Sequence, residues 1–238
     1  MTRVTDIFES DTPCNEDLYR RMDNSCTHVK KNHTNQTPAT KARSTNFGIA
    51  ARAGKALREG LHAVIPYPTD RSMQSRFSGA IAKWLGLSCI DELPPCDSAP
   101  YISDFQFTNS AAFNEQFKVP VSVSRQEDKL ITVIVDAFVP DRQVTAPAGT
   151  VFIELGISVA ACDLETGTTT GSETQRIQLP YNGNKILSQV LKFITPERAG
   201  SLTVTAAWLQ YYVMKNNGIY KMENPGFMPA RVISACYC

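Results

Sequence analysis

The hydrophobic period of this chain changes once, near residue 100, and that change limits the folds open to it. Between about residues 44 and 85, apolar side chains recur at steps of three and four. From Tyr101 onward they recur at every second residue. The first spacing gathers side chains on one face of a helix, the second on one face of a strand.

In 44–63, STNFGIAARAGKALREGLHA, the residues Phe47, Ala50 or Ala51, Gly54, Leu57 and Leu61 make the helical stripe. Ser44 or Thr45 supplies its N-cap. Gly48, Ala51 and Gly54 leave a thin face on which another backbone can approach; otherwise a glycine inside a helix costs about 1 kcal/mol. A second helix is expected over about 70–85, with Asp70 as N-cap and Met73, Phe77, Ile81, Trp84 and Leu85 as its stripe. Gly86 stands where a C′ glycine belongs. The prolines of IPYPT, at 65–69, separate the two helices, and Pro94, Pro95 and Pro100 mark an exit linker.

The alternating segments are 101–108, 117–125, 129–138, 150–162, 174–180, 185–195 and 201–214, with IYKM and ARVISACYC completing the set. Segment 185–195 also reads as a short helix. Pro120 implies an edge strand or a bulge. RQED, APAG, ETGTTTGS, YNGN, PERAG, KNNG and ENPG punctuate the strands as turns. The expected fold is therefore mainly β, α+β by content. A polar arm (1–40) and a helical pair with its linker (41–100) precede an antiparallel β-sandwich of seven to nine strands (101–238).

Net charge is +1 across 238 residues, so the whole molecule is no electrostatic binder of nucleic acid or membrane. The charge is unevenly placed. Residues 1–29 hold three basic and six acidic side chains, a net of −3. Residues 30–83 hold ten basic and two acidic ones, a net of +8. Arg52, Lys55 and Arg58 spread over roughly a third of the first helix's circumference and are the candidate partner-binding residues. An acidic partner, such as the arm of a neighbouring copy, suits this region, and so does a nucleic acid.

Catalytic signatures are sparse. Cys14, Cys26, His28 and His33 form the one candidate metal set, but the long gap between the cysteines is unlike a tetrahedral zinc site. The three histidines stand near no G-x-S-x-G elbow, and His62 reads as a helix C-terminal dipole partner. Gly48, Gly54 and Lys55 lack phosphate-loop spacing. Asp91–Glu92 and Glu127–Asp128 read as solvated loop carboxylates. Seven cysteines, an odd count, argue against a disulfide scaffold; Cys236 and Cys238 share a face if the tail is a strand. No cofactor is expected. Acidic residues interrupt the N-terminus where a secretory signal needs an apolar run, so cytoplasmic synthesis is expected, with leaderless export the other route.

RSTNFGIAARAGKALREGL (43–61), DRSMQSRFSGAIAK (70–83), DAFVPDRQVTAPAGTVFIELG (136–156) and AAWLQYYVMKNNGIYKM (206–222) together resemble a group of uncharacterised Bacteroidota proteins. That resemblance implies a helical segment followed by β-structure and no particular activity. The expected function is a non-enzymatic structural or assembly protein. It would self-associate as a homo-oligomer or filament through the arm, the small-residue helix or the edge strands. One alternative is a nucleic-acid-associated protein using the basic helix. A second is a carbohydrate-binding sandwich, which needs aromatics such as Trp208, Tyr211 and Tyr212 exposed on one face. Trp208 and Tyr212, four apart, share a strand face.

Overall fold

The structure is a computed structural model. It describes residues 20–22, 25–27, 37–66, 70–87, 97–126, 130–194 and 200–237. The chain divides into two compact units, Met1–Lys41 and Ala42–Cys238. In the first, strands β1 (Arg20–Met22) and β2 (Ser25–Thr27) pair as a short antiparallel hairpin.

The second unit is mostly antiparallel β. Among the described residues, helices α1 (Pro38–Gly60) and α2 (Met73–Leu87) precede nine strands in two sheets. The large sheet has the order β3 (Asp97–Ser98), β11 (Ala230–Tyr237), β9 (Ser201–Lys215), β6 (Thr150–Asp163), β7 (Thr168–Pro180). Strand β10 (Gly218–Lys221) also pairs with β9. The small sheet is β4 (Val121–Arg125), β5 (Leu130–Val135), β8 (Gln189–Ile194). Two single-turn helices, α3 (Phe113–Gln116) and α4 (Pro140–Gln143), lie in the connections.

The large sheet is the middle layer. On one face Ala160, Cys162, Leu202, Val204, Ala206 and Val232 join Leu57, Leu61, Phe77, Ile81 and Trp84 of the helical region in one core. On the other, Ile153, Leu155, Ile157, Leu209 and Tyr211 meet Ile131, Val133, Val135, Leu191 and Phe193 of the small sheet in a second core. Covered on one face by the small sheet and over much of the other by the helices, β6 and β9 are apolar along most of their length. Each fully buried Leu, Ile or Phe contributes about 1.5–3 kcal/mol of transfer free energy.

Close approach of α1 rests on small residues. A Cβ on Gly54 would sit 2.8 Å from the Ser78 Oγ of α2, and one on Gly60 would sit 2.8 Å from the Ala160 Cβ of β6. Thr169 Oγ1 donates to the Ala56 carbonyl at 2.8 Å, tying the β6–β7 hairpin to the same helix.

Several boundaries differ from the sequence reading. Helix α1 begins at Pro38 rather than near 44, because Thr37 Oγ1 accepts from the Thr40 amide and a proline fits the first helical position. Phe47 stands on the expected stripe but is 62% exposed. Asp70 stands three residues ahead of α2 rather than at its N-cap; its carboxylate accepts from the Ser72 amide at 2.9 Å and from Arg76 of the helix at 3.0 Å. These donors hold its carboxyl below the usual carboxylate range, so the contacts weaken as pH falls through that lowered value. Gly86 lies inside α2, not at C′.

Residues 101–108 form turns with one isolated bridge, Gln106 to Arg231, instead of a strand. The alternation there has another cause: Phe107 is buried in the helical core and Phe105 packs against it. Segment TTTGS, read as loop, is the start of β7. The ambiguous 185–195 resolves as β8, a strand. Pro120 does precede an edge strand, β4. In β11 the register shifts between Val232 and Ser234, so Val232 and Ala235 both face the helices.

Candidate functional site

Arg52, Lys55 and Arg58 meet three different surroundings. Arg52 lies against Gly167 in the β6–β7 turn, where a Cβ would come within 2.6 Å of it; the positive φ of 68° there also favours glycine. Lys55 is solvent-facing, 3.9 Å from Glu59. Arg58 turns toward α2, and burial, opposed by Glu59, lowers its pKa. The side chains of Cys14, Cys26, His28 and His33, the loop carboxylates at 91–92 and 127–128, and Cys238 lie outside the described residues. Among the described residues, no group of three or more His, Cys, Asp or Glu is placed to hold a metal ion. No described helix is long and apolar enough to cross a membrane.

Two surfaces stand out. The first is the outer face of the small sheet. The register β4–β5–β8 sets Ser122 beside Ile134 and Val190, Ser124 beside Thr132 and Lys192, and Leu130 beside Ile194. Val190 is 57% and Ile194 74% exposed, and neighbouring Leu187 is 73% exposed. Strand β8 is also a sheet edge. Side chains from β7 cover its C-terminal half: Gln175 Nε2 donates to the Lys192 carbonyl at 2.7 Å, and Glu173 Oε2 accepts from the Ile194 amide at 3.2 Å.

The second is a cleft on the helical face of the large sheet. Register makes the rows explicit. Pro180, Phe152, Tyr212 and Lys221 form one row; Gln178, Glu154 and Gln210 the next; Arg176, Gly156, Trp208 and Ala230 the third. The later rows, with Ala206, Val204 and Leu202, are roofed by the helical pair. The first three rows floor a cavity of about 360 Å³, and the turn after α1, from His62 to Pro66, is one of its walls.

Glu154 is 8% exposed and lies 3.5 Å from Arg176 Nη1. The Arg176 guanidinium is 5.7 Å from the centre of the Trp208 ring. The indole lies across Gly156, where a Cβ would meet ring carbons at 2.1 Å. Phe152 and Tyr212 stack at 4.3 Å and 17°. Burial and the Glu154 charge raise the Tyr212 pKa, against the opposing pull of Arg176. Gln210 Nε2 donates to the Met222 carbonyl at 2.7 Å, and His62 Nδ1 is 3.1 Å from the Glu59 carbonyl.

No protein-family model matches this chain, and no curated protein sequence matches it. A solved glycosyl hydrolase family 2 member from Bacteroides cellulosilyticus DSM 14838 is similar over 47% of this chain at 13% identity, with a TM-score of 0.22. The match spans 14% of that enzyme's length. So slight a likeness carries no argument about fold or activity.

Trp208 and Tyr212 share a face, as their spacing implies. Tyr211 points the other way, fully buried in the inter-sheet core, and its hydroxyl lies 3.0 Å from both Gln116 Oε1 and the Thr145 carbonyl. Burial raises its pKa. The sequence reading missed Glu154, Arg176 and Gln210. A usable signal was present: Glu154 and Gln210 are single polar residues inside the apolar runs VFIELGI and AAWLQYY. A polar side chain so placed is costly unless something satisfies it.

Cys162 belongs to the helical core, and burial, aided by Asp163, pushes its thiol up to about 12. Only the thiolate attacks an alkylating reagent. Peptide mapping after a short iodoacetamide pulse at about pH 8 should find Cys162 unmodified in the folded protein and modified in urea. The raised value also means that this thiol's contribution to stability holds below the unfolded pKa of about 8.5 and is lost as pH rises beyond it.

Proposed function

We propose that this chain is a non-enzymatic structural protein that self-associates through the outer face of the β4–β5–β8 sheet. The observation that carries the reading is the exposure of Val190 and Ile194 on one face of edge strand β8, with Leu187 just before it, each more than half exposed. Large aliphatic side chains grouped on a sheet face mark an interaction surface, and water disfavours leaving them bare. A second copy is the occupant favoured by charge. The −3 of residues 1–29 complements the +8 of residues 30–83, so each copy brings both signs to a partner like itself.

Lys192, between Val190 and Ile194, blunts uncontrolled edge pairing and favours a face-to-face contact of limited extent. Light scattering on the full chain tests this. Wild type should be larger than a monomer at micromolar concentration, and the Leu187→Glu, Ile194→Glu double variant should be a monomer with unchanged circular dichroism. A wild type that stays monomeric, or a double variant that assembles like wild type, overturns the proposal.

A further inference from the structure

We infer that the cleft over the first three rows of the large sheet is a binding site for a neutral polyhydroxylated ligand, a sugar or short oligosaccharide. The site is separate from the proposed self-association face, which lies on the outside of the other sheet.

The shape is the first argument. A cavity of about 360 Å³ is on the scale that encloses a small ligand. It exists because the helical pair roofs only part of its face of the sheet. The turn from His62 to Pro66 closes one side, and Met228 and Pro229 line it as well.

Charge is the second argument. The cleft's lining includes two carboxylates, Glu154 and Glu223, and two cations, Arg176 and Lys221. A phosphate-bearing ligand would meet both carboxylates, and a cation would meet Arg176 and Lys221. The balance suits an uncharged molecule that needs donors and acceptors side by side.

The polar groups are the third argument. Glu154 is nearly buried, yet its ion pair with a half-exposed arginine is loose, at 3.5 Å. A carboxylate in that position gains from further donors, and hydroxyl groups supply them. The Arg176 guanidinium beside it is a fork of N–H donors, so the pair presents an acceptor and a donor to adjacent hydroxyls. The aromatics complete the set. The Tyr212 ring, stacked on Phe152, offers apolar surface to the C–H face of a sugar ring while the hydroxyls reach the polar rows, and Trp208, 8% exposed, lines the cleft.

The test is a two-dimensional amide and indole NMR titration of the full-length protein. Probes are glucose, galactose, mannose, xylose, N-acetylglucosamine and their disaccharides, with inorganic phosphate as the charged control. The chain has two tryptophans, Trp84 in the helical core and Trp208 in the cleft. The Trp208→Phe spectrum assigns their indole signals. At least one sugar should shift the Trp208 indole saturably and leave Trp84 unmoved. Affinity should fall at least tenfold in Glu154→Gln and in Arg176→Ala, and be unchanged in Arg52→Ala. Circular dichroism and thermal unfolding of each variant, matched to wild type, separate the binding effect from any loss of fold. No saturable shift with any sugar overturns the inference. So does equal affinity in the two cleft variants, or saturation by phosphate in place of the sugars.

Discussion

Replacing Gly156 by valine should destabilise the folded protein by about 3 kcal/mol, the upper end of what overpacking costs. The sign is what makes the result informative. In an ordinary strand, valine in place of glycine is stabilising, because glycine is entropically costly and β-branched residues suit the pleat. Here the Trp208 indole occupies the space a side chain would need, with a Cβ at 2.1 Å from its ring. Nothing there yields cheaply, since β6 is paired on both sides by β7 and β9. Urea denaturation of the single variant and of Gly156→Val with Trp208→Ala measures the coupling. The second change should recover part of the loss, because it removes the clash. A Gly156→Val protein as stable as wild type would mean that the indole does not lie across the strand, and the cleft floor would have to be redrawn.

Phe77→Ala should cost about 3–5 kcal/mol, the range for emptying a phenylalanine site in a core. The ring is fully buried, 4.9 Å from Phe105 and 5.7 Å from Phe107. It joins α2 to the segment that is hydrogen-bonded to β11 of the large sheet. Helices and sheet share that core, so the loss should appear in one cooperative transition, with Tm lowered by about 10 °C for a unit of this size. Calorimetry showing an early separate transition with the main one unmoved would mean that the helical pair is not integrated with the sheet.

Much of the architecture was legible because it follows from periodicity. The stripe Met73, Phe77, Ile81, Trp84, Leu85 is buried as its spacing requires. The long apolar runs of β6 and β9 are strands buried on one face by the small sheet and on much of the other by the helices. The failures also have physical causes. Residues 101–108 alternate because two side chains dip into a core from a turn, and alternation by itself does not distinguish that from a strand. Gly86 continues α2 because a glycine tolerates helical geometry when nothing ends the helix there. The cleft was the least legible feature. Glu154 and Arg176 meet only through the β6–β7 register, two residues apart in alignment, and register is a tertiary property. The exposed face of β8 was hidden for the same reason. Its apolar residues become a surface once β5 shows which side of the small sheet is already packed.

Self-association through the small sheet is the central claim, and amide hydrogen exchange at two protein concentrations tests it most directly. Amides of 187–194 and of the neighbouring β5 should exchange more slowly in the concentrated sample. The cleft strands β6 and β9 should be unchanged between the two. Exchange that is independent of concentration along β8, or protection that grows only elsewhere in the described chain, would contradict it.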